Sequence, residues 1–428
     1  MKKIRAIIIG AGSRGNQYAK YMHQMSDKYE IVGMADPFEG RRIHFQETYG
    51  VPAENCYSSW DTILAQPKMA DVAVITTVDN MHYHPALQAI EKGYDLLLEK
   101  PVAQTAQECI DIANAAKAKG VKVLVCHVLR YTPFYGRLKE LLMSGIIGDV
   151  VSIDQVEAIG NVHFSHSYVR GNWHSEEEST PMLLAKSCHD LDIIQWLIGK
   201  PCRQVSSFGS LTHFTPENAP EGAPIRCADG TCPTMDTCPY NVIKHYYDYK
   251  ENSRRKIITK GIAKSFIPTD DEVMEALKTT DYGLCAYHAH NNVLDHQTVI
   301  MEFEGGATAT LNVNAFNKGG RYTRIYGTKG ELYAYAKDTE VSVFTFADKQ
   351  TTKISVLETE ESINGGHGGG DEGIIRELYA YLSGSYTGYR AADIDVSVSN
   401  HLIGFAAEQA RHQHTVVNIA DFCRENGY

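Results

Sequence analysis

A chain of 428 residues, 43% apolar and 22% charged, has room for two or three domains around a substantial core. Its formal net charge of −11 and the lack of a basic stripe with interleaved aromatics argue against nucleic acid as a partner. No run of about 18 apolar residues suggests a membrane span. The apolar stretch Ile7 to Ile9 is too short for a signal peptide, and most cysteines are scattered through apolar segments, so a reducing, cytoplasmic location is expected.

In chain order, Lys3 to Ile9 is a β-branched run followed at once by Gly10-Ala11-Gly12-Ser13-Arg14-Gly15. A helix-forming stretch, Asn16 to Met25, leads to a second apolar run, Ile31 to Ala35, that ends in Asp36. Strand, G-x-G-x-x-G, helix, strand and acid in this order make a dinucleotide-binding unit. Gly10 permits the tight turn, Gly12 lets backbone approach a pyrophosphate, and Gly15 lets helix pack on strand. Unpaired N–H groups at the helix start, around Ser13 and Arg14, suit phosphate. Asp36 would accept hydrogen bonds from both adenosine-ribose hydroxyls and repel a 2′-phosphate, which favours NAD. Arg41 and Arg42 follow closely and could hold that phosphate, so NADP stays open as the less favoured cofactor.

The pattern continues. Asp71 to Thr76 reads as a strand whose carboxyl end carries Thr77-Val78-Asp79-Asn80-Met81-His82. Helix His84 to Lys92 leads to the strand Tyr94 to Leu98, which ends in Glu99-Lys100-Pro101. A lysine at the carboxyl end of a buried strand sits where open α/β sheets bind ligands. Helix Ala106 to Lys119 and strand Lys122 to Cys126 complete a doubly wound parallel sheet over residues 1–126.

Beyond Val150 the periodicity changes. Val150 to Glu157 alternates as a strand, and Leu294 to Phe303 with Ala307 to Asn314 reads as a hairpin about Glu304-Gly305-Gly306. Further strands are expected at Arg321 to Tyr326, Glu331 to Ala336 and Val341 to Phe346. A flexible loop, Gly365 to Gly370, precedes the helix Glu372 to Leu382, and His401 to His412 is a closing helix. Residues 213–290 show little periodicity and form a cysteine-rich insertion too long for an ordinary connection. Thr180-Pro181 is expected to start a helix with Thr180 as its N-cap. Met182, Lys186, His189, Ile193 and Trp196 would share its inward face, where two ionisable groups among apolar ones are informative. The bland alternative is a satisfied core histidine with Lys186 reaching outward.

Taken together, Gly10 to Gly15, Asp36, Thr77 to His82 and Glu99-Lys100-Pro101 resemble the glucose–fructose oxidoreductase / inositol dehydrogenase / rhizopine-catabolism (Gfo/Idh/MocA) family. Arg130-Tyr131-x-Pro133, Gly145-Ile146-Ile147-Gly148, and His189-Asp190-Leu191-Asp192 ahead of Trp196-Leu197 resemble its second-domain motifs. The resemblance implies an α/β protein: an N-terminal Rossmann domain, then a C-terminal α/β domain (127–428) with a large, mostly antiparallel sheet. It also implies an NAD(P)-dependent oxidoreductase of a sugar, cyclitol or sugar derivative. A minority of the family instead cleaves glycosides or eliminates through a transient keto-sugar, without net redox. On this reading Gly10, Gly12, Ser13, Arg14, Gly15, Asp36, Thr76, Thr77, His82, Glu99 and Lys100 hold the cofactor. Lys100, His189 and Lys186 act in catalysis. Lys100, Arg130, Tyr131, Trp173 and His288 face substrate, with His163 and His367 as lesser candidates. Members commonly carry Asp four residues before the histidine; here that position is Ala185, and Lys186 is the nearest replacement.

Cys227, Cys232 and Cys238, with glycine and prolines between them, suit a metal knuckle holding the insertion, with structural zinc the first guess. Cys188, Cys202, Cys285 or a histidine could be a fourth ligand, and reduced, unmetallated thiols are the equal alternative. Tyr282 to His296 gathers His288, His290, His296 and Asp295 before a strand. Apolar alternation along Leu294 to Asn314 leaves a sheet face that a homodimer or homotetramer would cover. A catalytically idle nucleotide-binding or regulatory protein is the remaining alternative; it would have no need of Lys100 and His189 in one cleft.

Overall fold

The computed structural model describes residues 3–248, 258–259, 261–263, 265, 268–357 and 366–428. Gly365 and residues 249–257, 260, 264, 266 and 267 of the cysteine-rich insertion lie outside the described residues. The first sheet is parallel, with strands β1 (Ile4–Ile9), β2 (Tyr29–Ala35), β3 (Cys56–Tyr57), β4 (Val72–Ile75), β5 (Asp95–Leu98) and β6 (Val123–Val125) in the order β3-β2-β1-β4-β5-β6. Helices cover both faces, so β1, β4 and β5 are apolar almost throughout and almost wholly buried. The order reverses between β1 and β4, which puts the ligand crevice at the carboxyl ends of β1, β4 and β5.

The second sheet has nine strands: β7 (Val150–Ala158), β8 (Cys202–Ser210), β9 (His296–Phe303), β10 (Thr308–Asn314), β11 (Gly320–Gly327), β12 (Gly330–Tyr335), β13 (Glu340–Thr345), β14 (Gln350–Ser355) and β15 (Val417–Asn418). Their order is β14-β13-β12-β11-β7-β10-β9-β8-β15, antiparallel except for the β7–β10 pair. The β9–β10 hairpin forms as expected, with Gly305 and Gly306 at φ 86 and 88, a conformation that needs glycine. Burial alternates along these strands. Val299, Met301, Phe303, Leu311, Val313, Ile325, Leu332 and Val341 point into the core, each burial stabilising by about 1.5–3 kcal/mol. Phe208, Ile300 and Tyr333 stand on the opposite face and are exposed.

Helix Ile394–Gln413 packs on β8, on helix Cys188–Ile198 and on helix Ala106–Lys119, which ties the two sheets together. It begins seven residues before His401, capped by Asp393, whose side chain accepts the Val396 N–H. Two expectations need correction. The stretch after Pro181 is not one helix: Met182–Ala185 is a single turn closed by Lys186, and Cys188–Ile198 starts anew after Ser187 (φ −96, ψ 7) leaves helical geometry. Thr180 is not its N-cap, because Pro181 takes the extended N-cap conformation and leaves the Thr180 hydroxyl one position early and without a partner among the described residues. The insertion holds more order than its composition suggests. Helix Asp270–Thr279 opens on a Thr269/Glu272 capping box, and Val242, Tyr246, Ile262, Val273 and Leu277 form a small core with Cys227.

Candidate active site

At the end of β1 the chain turns at Gly10, φ 91, where a Cβ would stand 2.6 Å from the Thr76 carbonyl oxygen. A Cβ on Gly15 would meet the Gly10 carbonyl oxygen at 2.0 Å, so helix Ser13–Gln24 lies directly on the strand end. Gly12 has open space before it: a Cβ there would meet only the Arg41 guanidinium, at 3.7 Å. Gly12 is also the N-cap, with no side chain satisfying the first N–H groups. Bare donors facing open space at a helix N-terminus fit a pyrophosphate. Ser13 is exposed at this mouth. Thr76 closes the turn behind it, donating its hydroxyl to Gly10 O at 2.5 Å, and Thr77 donates to Met81 O at 2.9 Å. Asp36 is 3% exposed. Its oxygens accept from Ala11 N (2.8 Å), Phe38 N (2.9 Å) and Arg41 (3.1 Å). The acid thus lies at the end of β2 against the glycine turn, with a cation beside it. His82 is fully buried, with Nδ1 2.7 Å from Pro101 O and Nε2 3.2 Å from Thr77 O, so it pins the loop after β4 to the loop after β5.

Arg14, inside the glycine motif, is a hub. It donates to Glu99 Oε1 at 2.7 Å, to both Asp371 oxygens at 2.8 and 3.0 Å, and to the Tyr18 hydroxyl, which itself donates to Glu99 at 2.8 Å. Burial pushes the Glu99 pKa up, but Arg14 and Lys100 outweigh it and hold the carboxyl below its ordinary value. Glu99 therefore serves as a fixed anion that orients the glycine loop.

Lys100 follows β5, and the Lys100–Pro101 peptide is cis. Its Nζ donates to the Ala185 carbonyl at 2.6 Å. Ala185, four residues before His189, thus holds the lysine through its backbone carbonyl. His189 is 5% exposed, with Nδ1 buried and unpartnered among the described residues. Burial first, then Lys100, His127 and His367, hold its pKa well below the ordinary value, so it is neutral at pH 7. His127 lies behind it with ring centroids 6.0 Å apart, and His367 stands at 6.1 Å. His367 (φ 51) comes from the glycine run, and its Nδ1 is 3.0 Å from Asp371 Oδ1. Burial alone would raise Asp371, yet the His367 bond and Arg14 hold its pKa far below the usual carboxylate range. Arg14 Nη1 also lies 3.3 Å from Nδ1; in the tautomer that donates Nδ1–H to Asp371, Nε2 of His367 is the proton acceptor, as in a His–Asp pair.

Lys186 faces the same centre, with Nζ 3.7 Å from Glu157. Arg321 bridges Glu157 (2.5 Å) and Asp190 (2.9 Å), and Gln155 also donates to Asp190, at 2.9 Å. Two cations and two carboxylates balance in this quartet, the carboxylates buried and the cations partly so. Burial lowers the Lys186 pKa against the pull of Glu157, and raises that of Glu157 against Arg321 and Lys186.

The remaining sequence candidates separate. Trp173 donates its indole N–H to Asp79 at 2.9 Å and lines a cleft of ≈450 Å³ with Asp79, Asn80, Arg170, His174 and Tyr282. Arg130 is 3% exposed and bidentate on Asp192 (2.6 and 2.8 Å), which also accepts from Asn400. Tyr131 is buried in the core beside Ile374 and Ile375. His288 is half-buried, its backbone N–H donated to Cys285 O. Asp295 anchors the loops around it, accepting from Thr212 N, His213 N and His296. Cys227, Cys232 and Cys238 line one small cavity with Cys285, and among the described residues no three His, Cys, Asp or Glu side chains form a ready-made metal site. Sequence reasoning missed Glu157, Arg321, His127 and Asp371. A signal existed for Glu157, which has the parity of inward Ile153 in a strand already recognised.

A glycine cradle with a terminal acid on a parallel sheet, opposed by lysine and histidine from a second sheet domain, defines an NAD(P)-dependent oxidoreductase. Residues 4–127 match the family model described as oxidoreductase family, NAD-binding Rossmann fold, and residues 139–416 match its C-terminal α/β domain. The chain belongs to the Gfo/Idh/MocA family. It is 28% identical over 386 residues, 84% of either chain, to a Bacillus subtilis protein named as an oxidoreductase, YteT. It is 26% identical over 210 residues to the 2,7-anhydro-N-acetylneuraminate hydratase of Escherichia coli, an alignment spanning 49% of this chain and 54% of the relative. Among solved structures, levoglucosan dehydrogenase with NADH and levoglucosan shares the fold, with TM-score 0.71 and 16% identity over 98% of this chain and 100% of that one. No helix among the described residues is long and apolar enough to cross a membrane.

Proposed function

We propose that the protein is an NAD-dependent enzyme that oxidises a hydroxyl-bearing carbon of a sugar, cyclitol or sugar derivative at the site around Lys100. The observation that carries this reading is the meeting of Lys100, neutral His189 and the His367–Asp371 pair at the carboxyl end of β5, next to the glycine cradle. Bound NAD would supply the hydride acceptor, held by Gly10 to Gly15 and Asp36. Lys100 then donates to the substrate oxygen and stabilises its developing negative charge. His189 or His367 takes the hydroxyl proton. Lys186, tied to Glu157, adds positive potential and holds substrate polar groups. Trp173 and Asp79 offer a ring face and a carboxylate to a polyol. Asp36 favours NAD over NADP, with Arg41 the residue through which a 2′-phosphate would compete.

One observation favours a second reading. Oxidation of an alcohol needs one proton acceptor, while this site holds two histidines that can take protons, His189 and the His367–Asp371 pair. A redox-neutral elimination or glycoside cleavage through a transient keto-sugar uses a second acceptor on the C–H beside the ketone, and the anhydro-sugar hydratase among the relatives accords with it. A panel of sugars, cyclitols, glycosides and anhydro-sugars, followed at the NADH absorbance band with product analysis, decides. Net NADH formation supports the dehydrogenase, and product without net NADH supports the redox-neutral enzyme. Neither from any member removes both readings and leaves the idle nucleotide-binding protein.

A further inference from the structure

The cysteine-rich insertion stands against the wall of the cleft and takes no part in the chemistry above. Cys227, Cys232, Cys238 and Cys285 all line one cavity of ≈10 Å³, together with Arg170, Tyr240 and Tyr287. All four are free thiols. They come from two segments that are stitched together: Arg226 pairs with Leu284 in an isolated antiparallel bridge, and the Cys285 N–H donates to Ile225 O at 2.8 Å. Two of the sulfurs have polar neighbours: Tyr240 N–H reaches Cys238 Sγ at 3.4 Å, and the Thr234 hydroxyl lies 3.4 Å from Cys232 Sγ. Four cysteines but neither carboxylate nor imidazole line the cavity, beside Arg170, Thr234, Asn241 and two tyrosines, and a site built from the four thiols suits a soft cation.

We propose that Cys227, Cys232, Cys238 and Cys285 form a four-thiolate site for a soft divalent cation, zinc being the fitting choice. Tetrahedral zinc takes four sulfurs at about 2.3 Å. The sulfurs as placed are not gathered round one point, so binding rotates them into the cavity they already line, a motion that staggered χ1 wells allow. Four S–H bonds give way to four metal–sulfur bonds, four protons leave, and no electrons move.

The site is a clamp for the cleft wall. Arg170, 2% exposed, donates to Leu284 O and Tyr240 O, each at 2.8 Å, next to the ligand-bearing turns. The residues after it, Gly171 to His174, line the cleft and carry Trp173 to Asp79. The metal would therefore hold Trp173 in place, and the proposal stands whichever reaction the protein performs.

The full-length protein, produced with zinc in the medium and dialysed against metal-free buffer, is expected to hold about one zinc per chain by elemental analysis. Cobalt(II) chloride added after zinc removal should give a sulfur-to-cobalt charge-transfer band. Cys238→Ser and Cys285→Ser should each lose the stoichiometric metal and weaken the band, while Cys423→Ser, away from the cluster, keeps both. Should those variants not fold, titration of the wild-type thiols with a mercurial must release zinc in step with cysteine modification. Substoichiometric zinc with no cobalt band, zinc retained in Cys285→Ser, or a disulfide within the four under non-reducing mass spectrometry would each overturn the proposal.

Discussion

Replacing Lys100 by methionine separates a catalytic lysine from a structural one. Methionine keeps most of the aliphatic stem and removes the ammonium that donates to Ala185 O at 2.6 Å. The folded state loses one hydrogen bond to a carbonyl, about 1 kcal/mol, so thermal unfolding should shift by only a few degrees. Turnover should fall roughly 10²–10⁴-fold, the range for removing a positioned proton-handling or charge-stabilising group, or about 3–5 kcal/mol of barrier. The pH profile supplies a second, independent sign. His189 is held neutral by burial first and by Lys100 next. Without the ammonium its pKa rises toward the ordinary value, and the acid limb of kcat/KM should move to higher pH. NAD affinity, measured by calorimetry, should stay within about threefold, because Gly10 to Gly15 and Asp36 are proposed to hold most of the cofactor, and Lys100 at most its reacting end. Losses in Lys100→Met and His189→Ala should combine less than additively if the two act as a unit. Near-wild-type turnover on the substrate found by the sugar panel, or a rate loss tracked by an equal loss of NAD affinity, refutes this assignment and shifts the role to Lys186 or His367.

Asp36→Ala should weaken NAD binding by about 1–3 kcal/mol while narrowing the preference over NADP, since Arg41 is freed from its 3.1 Å pairing; calorimetric affinity within twofold of wild type would remove Asp36 from the ribose. His401 is fully buried, its Nε2 accepting the Val102 N–H at 3.0 Å, and burial with His127 nearby pushes its pKa down to about 3. Its unfolded form binds a proton below its ordinary pKa while the folded form does not. Stability is therefore lost as pH falls from about 6.5 toward 3, with about 2 kcal/mol going between pH 7 and pH 5. Urea unfolding at those two pH values should show that loss shrinking in His401→Asn, and an unchanged difference would count against the buried neutral imidazole. Phe208 and Ile300, 63% and 50% exposed on the outer face of the second sheet, should lie in a homodimer or homotetramer interface. Ile300→Glu should then dissociate it by light scattering at micromolar concentration, and a monomeric wild type sinks the idea.

The glycine loop, Asp36, the strand ends with Thr76 and Lys100, and the β9–β10 hairpin were all open to sequence reading, because each is a local requirement. A turn at φ 91, a helix lying on a strand and an acid at a strand end constrain residues that are neighbours in the chain. The broken helix at Lys186 and Ser187 was not, since a 3–4 residue spacing looks the same whether or not a backbone turn interrupts it. What the sequence by itself determined is the glycine turn with its acid on the parallel sheet and the alternation that puts one face of the second sheet inward. Only the tertiary structure decided that Arg14 of the glycine loop closes on Asp371, that His367 meets His189, and that Arg321 joins Glu157 to Asp190. Those partners lie more than a hundred residues apart along the chain. No local pattern encodes such pairings, because they exist only once two sheets have packed and buried charges have had to find one another.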